Sequence, residues 1–370
     1  MSKFELSIAK DYVPSWSYLD GVRELFQNAL DQQTVVEDNK MFFSYNEETE
    51  TLTIGNKLSV LDTSSLLLGA TTKSDDEETI GQFGEGYKIA TLVLTRENHS
   101  VVFYNYGAKE VWRPRFVKSR RYKTDVLTFF VDKKYPWQQT PHHNLIIEIN
   151  NITKEQYNEI VETNLHLQDI GKYFETDKGR ILLEDKYKGK VFVNGLFVCD
   201  YKDYQYGYDF KPSQLNIDRD RKLVDNFDLK WLASEMWLKQ NGNEEMKRIA
   251  AELIKENKAD VEFIKDVWVS GSFYTQTAEV VHETFKDEYG ENAVPVSTQN
   301  ELETVSGDYK PIMVSNEYKE IVQSSPKYKE PMKIYKPSPK ERIEEWIEDH
   351  KQSLSKRAIT EMESILEDLK

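Results

Sequence analysis

The chain has 370 residues, 31% of them charged and 39% hydrophobic, and a net charge of −15 at neutral pH. This composition describes soluble globular domains, about two or three of them, and excludes a disordered or fibrous chain. No apolar run approaches the length of a bilayer span and the N-terminus lacks a signal-peptide core, so the expectation is a cytoplasmic protein without membrane insertion. The single cysteine, Cys199, rules out an internal disulfide, and the acidic balance argues against whole-surface affinity for nucleic acid or anionic lipid.

Residues 18–36 carry Leu19, Val22, Leu25, Phe26, Ala29 and Leu30 at helical spacing. Strands follow at 41–45 and 51–54, then a short helix opened by Asp62. Residues 69–80 are polar and aperiodic, which reads as a lid loop. A helix over 86–96 precedes strands near 99–106, 109–117, 124–132 and 144–150. The fold class is therefore α+β, with a sandwich domain over 1–150. After Asn150 come a helix at 153–164, strands at 180–184 and 190–199, a tyrosine-rich loop at 201–208, and helices at about 222–240 and 243–257. These make a second domain over 151–258.

Residues 259–335 alternate more loosely, with strands at 267–269, 294–297 and 312–315 and helices at 275–288 and 318–324. Residues 336–370 open with Ser338-Pro339 and a Glu341 in capping-box register, then carry an apolar stripe including Ile343, Trp346, Ile347 and Leu366. That stripe reads as one or two amphipathic helices forming core or a helical seam, with self-association as the alternative.

Glu24, Asn28 and Asp31 are spaced i, i+4, i+7 and share one helical face. A carboxylate there can take a proton from water, and an amide oxygen can ligate magnesium. The alternative is a merely solvated helix face. Gly81, Gly84 and Gly86 let the chain approach phosphate closely just before a helix N-terminus. Lys73 and Lys88 can neutralise phosphate charge, or stand as ordinary surface lysines.

A basic run, Arg113, Arg115, Lys118, Arg120, Arg121 and Lys123, contains no acid and is interleaved with Phe116 and Tyr122. It reads either as a solvated hairpin answering the acidic remainder or as a contact for nucleic acid or an acidic partner.

Glu24-Leu-Phe-Gln-Asn28-Ala-Leu-Asp31 and Gly81-Gln-Phe-Gly84-Glu-Gly86-Tyr-Lys88 resemble the N box and glycine box of the GHKL ATPase superfamily, which includes gyrase, the large heat-shock chaperone and MutL. Leu66–Lys73 and the following glycine box look closest to its MORC-like and phage rIIA-like branch. The resemblance spans roughly 10–235 and implies a Bergerat fold, ATP with Mg2+, and a nucleotide-gated switch or clamp that dimerises when ATP is bound. It makes Glu24 the general base and Asn28 the metal ligand. It extends nucleotide contacts to Asp31, Asn56, Thr72, Lys73, Gly81, Gly84, Glu85, Gly86, Tyr87 and Lys88.

Asn56 stands where the family has an adenine-binding aspartate, and the glycines after it are absent. An asparagine there can accept from the adenine amino group through Oδ1 and donate to N1 through Nδ2. The family's later threonine is also missing, with His143-Asn144 in its place. Leu215-Asn216-Ile217-Asp218-Arg219 is similar to the transducer segment of the chaperone branch, which implies a γ-phosphate contact by Arg219, with Arg221 as the alternative. The lysine-, asparagine- and tyrosine-rich composition points to a low-GC phage or its host. A non-catalytic interaction protein on an inherited nucleotide fold, such as a phage factor acting on a host protein, is the competing class.

Overall fold

The computed structural model describes residues 1–66, 86–133, 143–215, 226–238, 243–268, 273–305, 308–331 and 339–368. The first elements are β1 (Ser2–Ala9), α1 (Tyr18–Val35), β2 (Met41–Asn46), β3 (Thr51–Asn56) and α2 (Gly86–Arg96). Then come β4 (Ser100–Asn105), β5 (Glu110–Lys118), β6 (Asp125–Asp132), β7 (Leu145–Asn150) and α3 (Lys154–Glu162). The seven strands form one antiparallel sheet in the order β1-β6-β5-β4-β7-β3-β2.

Alternation decides which face is covered. Leu52 and Ile54, Val101 and Phe103, Leu127 and Phe129, and Ile147 and Ile149 are buried under α1 and α2, whose own Val22, Leu25, Ala29, Ile89 and Leu92 complete one core. α2 is apolar almost all round, which fits a helix enclosed on every side. Gly21 lets α1 and α2 approach closely, since a Cβ there would lie 2.9 Å from Leu94 Cγ and 3.2 Å from the Ala90 carbonyl.

The second sheet contains β8 (Tyr173–Glu175), β9 (Gly179–Leu182), β10 (Lys190–Val193), β11 (Leu196–Asp200) and β12 (Gly207–Phe210), ordered β11-β10-β12-β9-β8. β10 and β12 are parallel and the other pairs antiparallel. Asn194 and Gly195 both take positive φ, the left-handed turn a tight hairpin demands. The continuous strand expected over 190–199 is therefore two strands. Cys199 is half-buried, and burial raises its thiol pKa.

The described residues divide into two compact units, Met1–Met236 and Trp237–Lys370. The first contains both sheets, so the expected boundary at 150 lies inside it; the boundary at 258 lies inside the second. The division falls within α4 (Asn226–Leu238). In the second unit, α5 (Glu244–Lys255), α6 (Ile264–Trp268) and α7 (Phe273–Tyr289) precede a parallel pair, β13 (Ala293–Val296) and β14 (Lys310–Met313), with α8 (Gln299–Thr304) between them. α9 (Asn316–Gln323), α10 (Pro339–His350) and α11 (Lys356–Asp368) complete it. The strand expected at 267–269 is corrected: Val267 and Trp268 end helix α6. Pro339 is the first residue of α10, as the sequence predicts, and the terminal stripe divides between two helices, burying Ile347 and Leu366 while Trp346 and Ile365 stay exposed.

Candidate functional site

The catalytic-type residues sit on α1, which is held at its start from two directions. The Asp20 carboxylate accepts from Ser17 N at 2.8 Å, and Glu97, just past the end of α2, accepts from Tyr18 N at 2.9 Å. Arg96, the last residue of α2, donates to the carbonyls of Tyr12, Val13 and Trp16 and fixes the approach to α1. The Tyr18 hydroxyl reaches Glu159 on α3, and burial raises its pKa above the usual phenol range.

Along this fixed helix Glu24 and Asp31 are buried and Asn28 is half-buried. Asn28 Nδ2 donates to the Glu24 carbonyl at 2.7 Å, which leaves Oδ1 as the end open to a cation. Gly86, the first residue of α2, lies directly against both residues. A Cβ on Gly86 would lie 2.7 Å from Glu24 Oε2 and 3.2 Å from Asn28 Nδ2. The two motifs, about fifty residues apart in sequence, thus meet at a point where only a hydrogen fits.

Tyr87 and Lys88 do something different from what the glycine box suggested. Lys88 is fully buried, not a surface lysine, and its ammonium donates to the Ser65 carbonyl at 2.9 Å. The Tyr87 hydroxyl lies 2.9 Å from Ser65 Oγ, and desolvation pushes its pKa up to about 12, so the phenol stays neutral. Together they clasp Ser65 to the start of α2, tying the chain just before Leu66 to the chain just after Gly86. Upstream of that clasp, Asn39 Oδ1 accepts from Leu58 N, and Asn105 exchanges two bonds with the Leu61 backbone.

Asn56 is buried at the end of β3, and its amide nitrogen donates to the carbonyls of Ala29 (2.9 Å) and Asn39 (3.2 Å). Both its donors are spent on main chain, so the expected donation to adenine N1 is corrected; Oδ1 alone is left for a base. An aspartate here would face two carbonyls with no proton to give. An asparagine at this position therefore has a structural reason.

One residue on this face escaped the sequence reading. Gln27, at i+3 from Glu24, is 1% exposed, and neither of its amide atoms has a hydrogen-bond partner among the described residues. Buried amides are rarely left so. Its helical angle, adjacent to Asp31 and Glu24, was the available signal.

A last feature leads out of the site. Arg23, next to Glu24, lies 3.2 Å from Asp20 and donates Nη1 to the Phe197 carbonyl of β11 at 3.4 Å. Phe26 packs on the His166 ring, which in turn bonds the Asn194 carbonyl. α1 thus touches the second sheet. Thr72, Lys73, Gly81, Gly84, Glu85, Arg219, Arg221 and the expected lid at 69–80 lie outside the described residues. Among the described residues no group of three or more His, Cys, Asp or Glu is placed to hold a metal.

The chain is similar to an uncharacterized protein of Mycoplasma pneumoniae, 24% identical over 235 residues that span 60% of this chain and 92% of that one. No family model matches. No helix among the described residues is long and apolar enough to cross a membrane.

Proposed function

We propose that this chain binds ATP with magnesium and acts as a slow, GHKL-type ATPase whose nucleotide state switches its conformation. The observation that carries the reading is the contact of Gly86 with Glu24 and Asn28, which joins the carboxylate, the amide and a glycine-opened helix N-terminus at one place. A helix start with no side chain offers backbone amides to phosphate oxygens. Glu24 is the base that takes a proton from a water attacking the γ-phosphorus; the bond from that phosphorus to the β–γ bridging oxygen breaks, and the products are ADP and inorganic phosphate. Asn28 Oδ1 is the side-chain ligand for magnesium. That ion, when bound, would neutralise phosphate charge, and a single amide ligand suits a cation that binds through few protein groups and keeps much of its own hydration.

On this reading the family's Bergerat fold accounts for the seven-stranded sheet with both helices on one face. A homodimer in the ATP state and a protein partner are further parts of the proposal. Glu24→Ala is expected to abolish ATP hydrolysis while magnesium-ATP still binds in calorimetry. A variant that hydrolyses at the wild-type rate would remove Glu24 from the mechanism.

A second reading is a non-catalytic binding protein on a nucleotide fold. The commitment of both Asn56 donors to main chain favours it, because the adenine end of the site has been turned to holding α1 against β3. Calorimetry on the wild-type chain separates the two: absence of both heat and turnover supports the binding module alone.

A further inference from the structure

We propose that the hairpin joining β5 to β6, with the open face of the sheet beside it, is a docking surface for the phosphate backbone of a nucleic-acid strand. Arg113, Arg115, Lys118, Arg120, Arg121 and Lys123 are all exposed. Among the described residues Arg115, Lys118, Arg120, Arg121 and Lys123 enter no ion pair, although the chain carries 15 excess negative charges. Of two acids on the adjoining strands, Glu5 is engaged by Lys3 at 2.6 Å, and Asp125 is the ladder partner of Lys118. Lys10 adds a further cation at the same end, 5.4 Å from the Phe116 ring.

The surface is held in shape. Ser119 N donates to Thr124 O and Lys123 N to Ser119 O, both at 2.9 Å, closing a tight tip with Lys123 at φ 58°. Ser119 Oγ bonds Glu5, and the Tyr122 hydroxyl lies 3.0 Å from Ser7 Oγ, so the tip is tied to β1. The Arg115 guanidinium lies 4.1 Å from the Phe130 ring centroid, and Arg121 lies 5.3 Å from that of the exposed Tyr122. Cations spaced along a strand with an exposed aromatic among them suit a flexible phosphodiester chain, whose charges they meet and whose bases can stack.

Arg113 and Arg115 alternate with buried Trp112 and Pro114, so they leave the sheet opposite α1 and α2. Binding here needs no ATP, because the Glu24 site is on the other side of the sheet.

The test is fluorescence anisotropy of a labelled, mixed-sequence single-stranded oligonucleotide with the full chain and no ATP, as DNA and as RNA. If the five unpaired cations each meet a phosphate, the log–log salt slope is about −3.5, and affinity falls roughly 100-fold between about 50 and 200 mM salt. Arg120→Glu with Arg121→Glu should weaken binding at least tenfold and flatten the slope by about 1.4. Thermal melting checks that this exposed double change leaves the fold intact. No binding at low salt, unchanged binding by the double variant, or equal displacement by polyglutamate would overturn the proposal. Since no ATP is present, its failure leaves the ATPase reading standing, and failure of ATP binding leaves this one standing.

Discussion

Gly86→Ala tests whether the meeting of the two motifs matters for chemistry. The new methyl would lie 2.7 Å from Glu24 Oε2, where ordinary contact requires about 3.4 Å, so the carboxylate must move by at least half an ångström. Because the obstructing atom ends a side chain, the fold can accommodate this cheaply. Alanine also favours a helix over glycine by up to about 1 kcal/mol, less at a first helical position. Melting temperature should therefore stay within a few degrees of wild type. Turnover should not. A displacement near 1 Å at a reacting group costs about 100-fold, so a half-ångström shift of the base predicts a loss of roughly tenfold, or about 1.4 kcal/mol. A coupled phosphate-release assay beside a thermal melt reads both quantities. Wild-type turnover in a stably folded Gly86→Ala chain would refute the assignment of Glu24 as base at this position. A large drop in melting temperature would refute the claim that the clash is confined to a movable side chain.

Asn56→Asp installs the aspartate that the GHKL superfamily invoked in the proposed reading carries, yet it should harm the protein. It replaces two amide donations with a carboxylate facing the Ala29 and Asn39 carbonyls, a loss of about 3 kcal/mol. For a unit of this size that is a fall of roughly 6–12 °C in Tm, and a variant that instead gains ATP affinity at unchanged Tm would contradict the clamp. Gln27→Leu removes a buried amide whose atoms are unpartnered among the described residues, so stability should rise by about 1–3 kcal/mol in urea titration. If that amide is kept for nucleotide, calorimetry should show ATP affinity falling about tenfold in the same variant; a stabilised chain with unchanged affinity would leave Gln27 no role in binding.

Much of the first sheet and its two helices was legible in the sequence because each element carried its own period. α1 and α2 announced themselves through helical spacing, and β3 to β7 through alternation. β1 was missed although Phe4, Leu6 and Ile8 alternate, since its partner among the described residues is β6, more than a hundred residues on. β12 hid in a tyrosine-rich stretch that read as a loop, because Tyr208 and Phe210 become core only once β9 and β10 flank them. The run at 190–199 concealed an Asn-Gly turn among apolar residues. Val267 favours a strand in isolation, and its burial on α6 overrode that preference. At the candidate site, residue types and spacing singled out Glu24, Asn28 and Gly86, which the fold brings together. Side-chain partners could not be read: nothing in the string says that Asn56 turns its nitrogen to Ala29, or that Lys88 points inward at Ser65.

Arg23 and Glu24 are consecutive, about 100° apart around α1, with one against the start of α2 and the other against β11. A rigid helix cannot turn one without turning the other. A rotation of α1 large enough to move Glu24 by an ångström would swing the Arg23 guanidinium by at least as much, because its longer arm lies farther from the axis. The 3.4 Å bond to the Phe197 carbonyl is already long, so it would break or drag β11 along. The helix that would sense phosphate is thus also a lever, with its short arm in the site and its long arm on the second sheet.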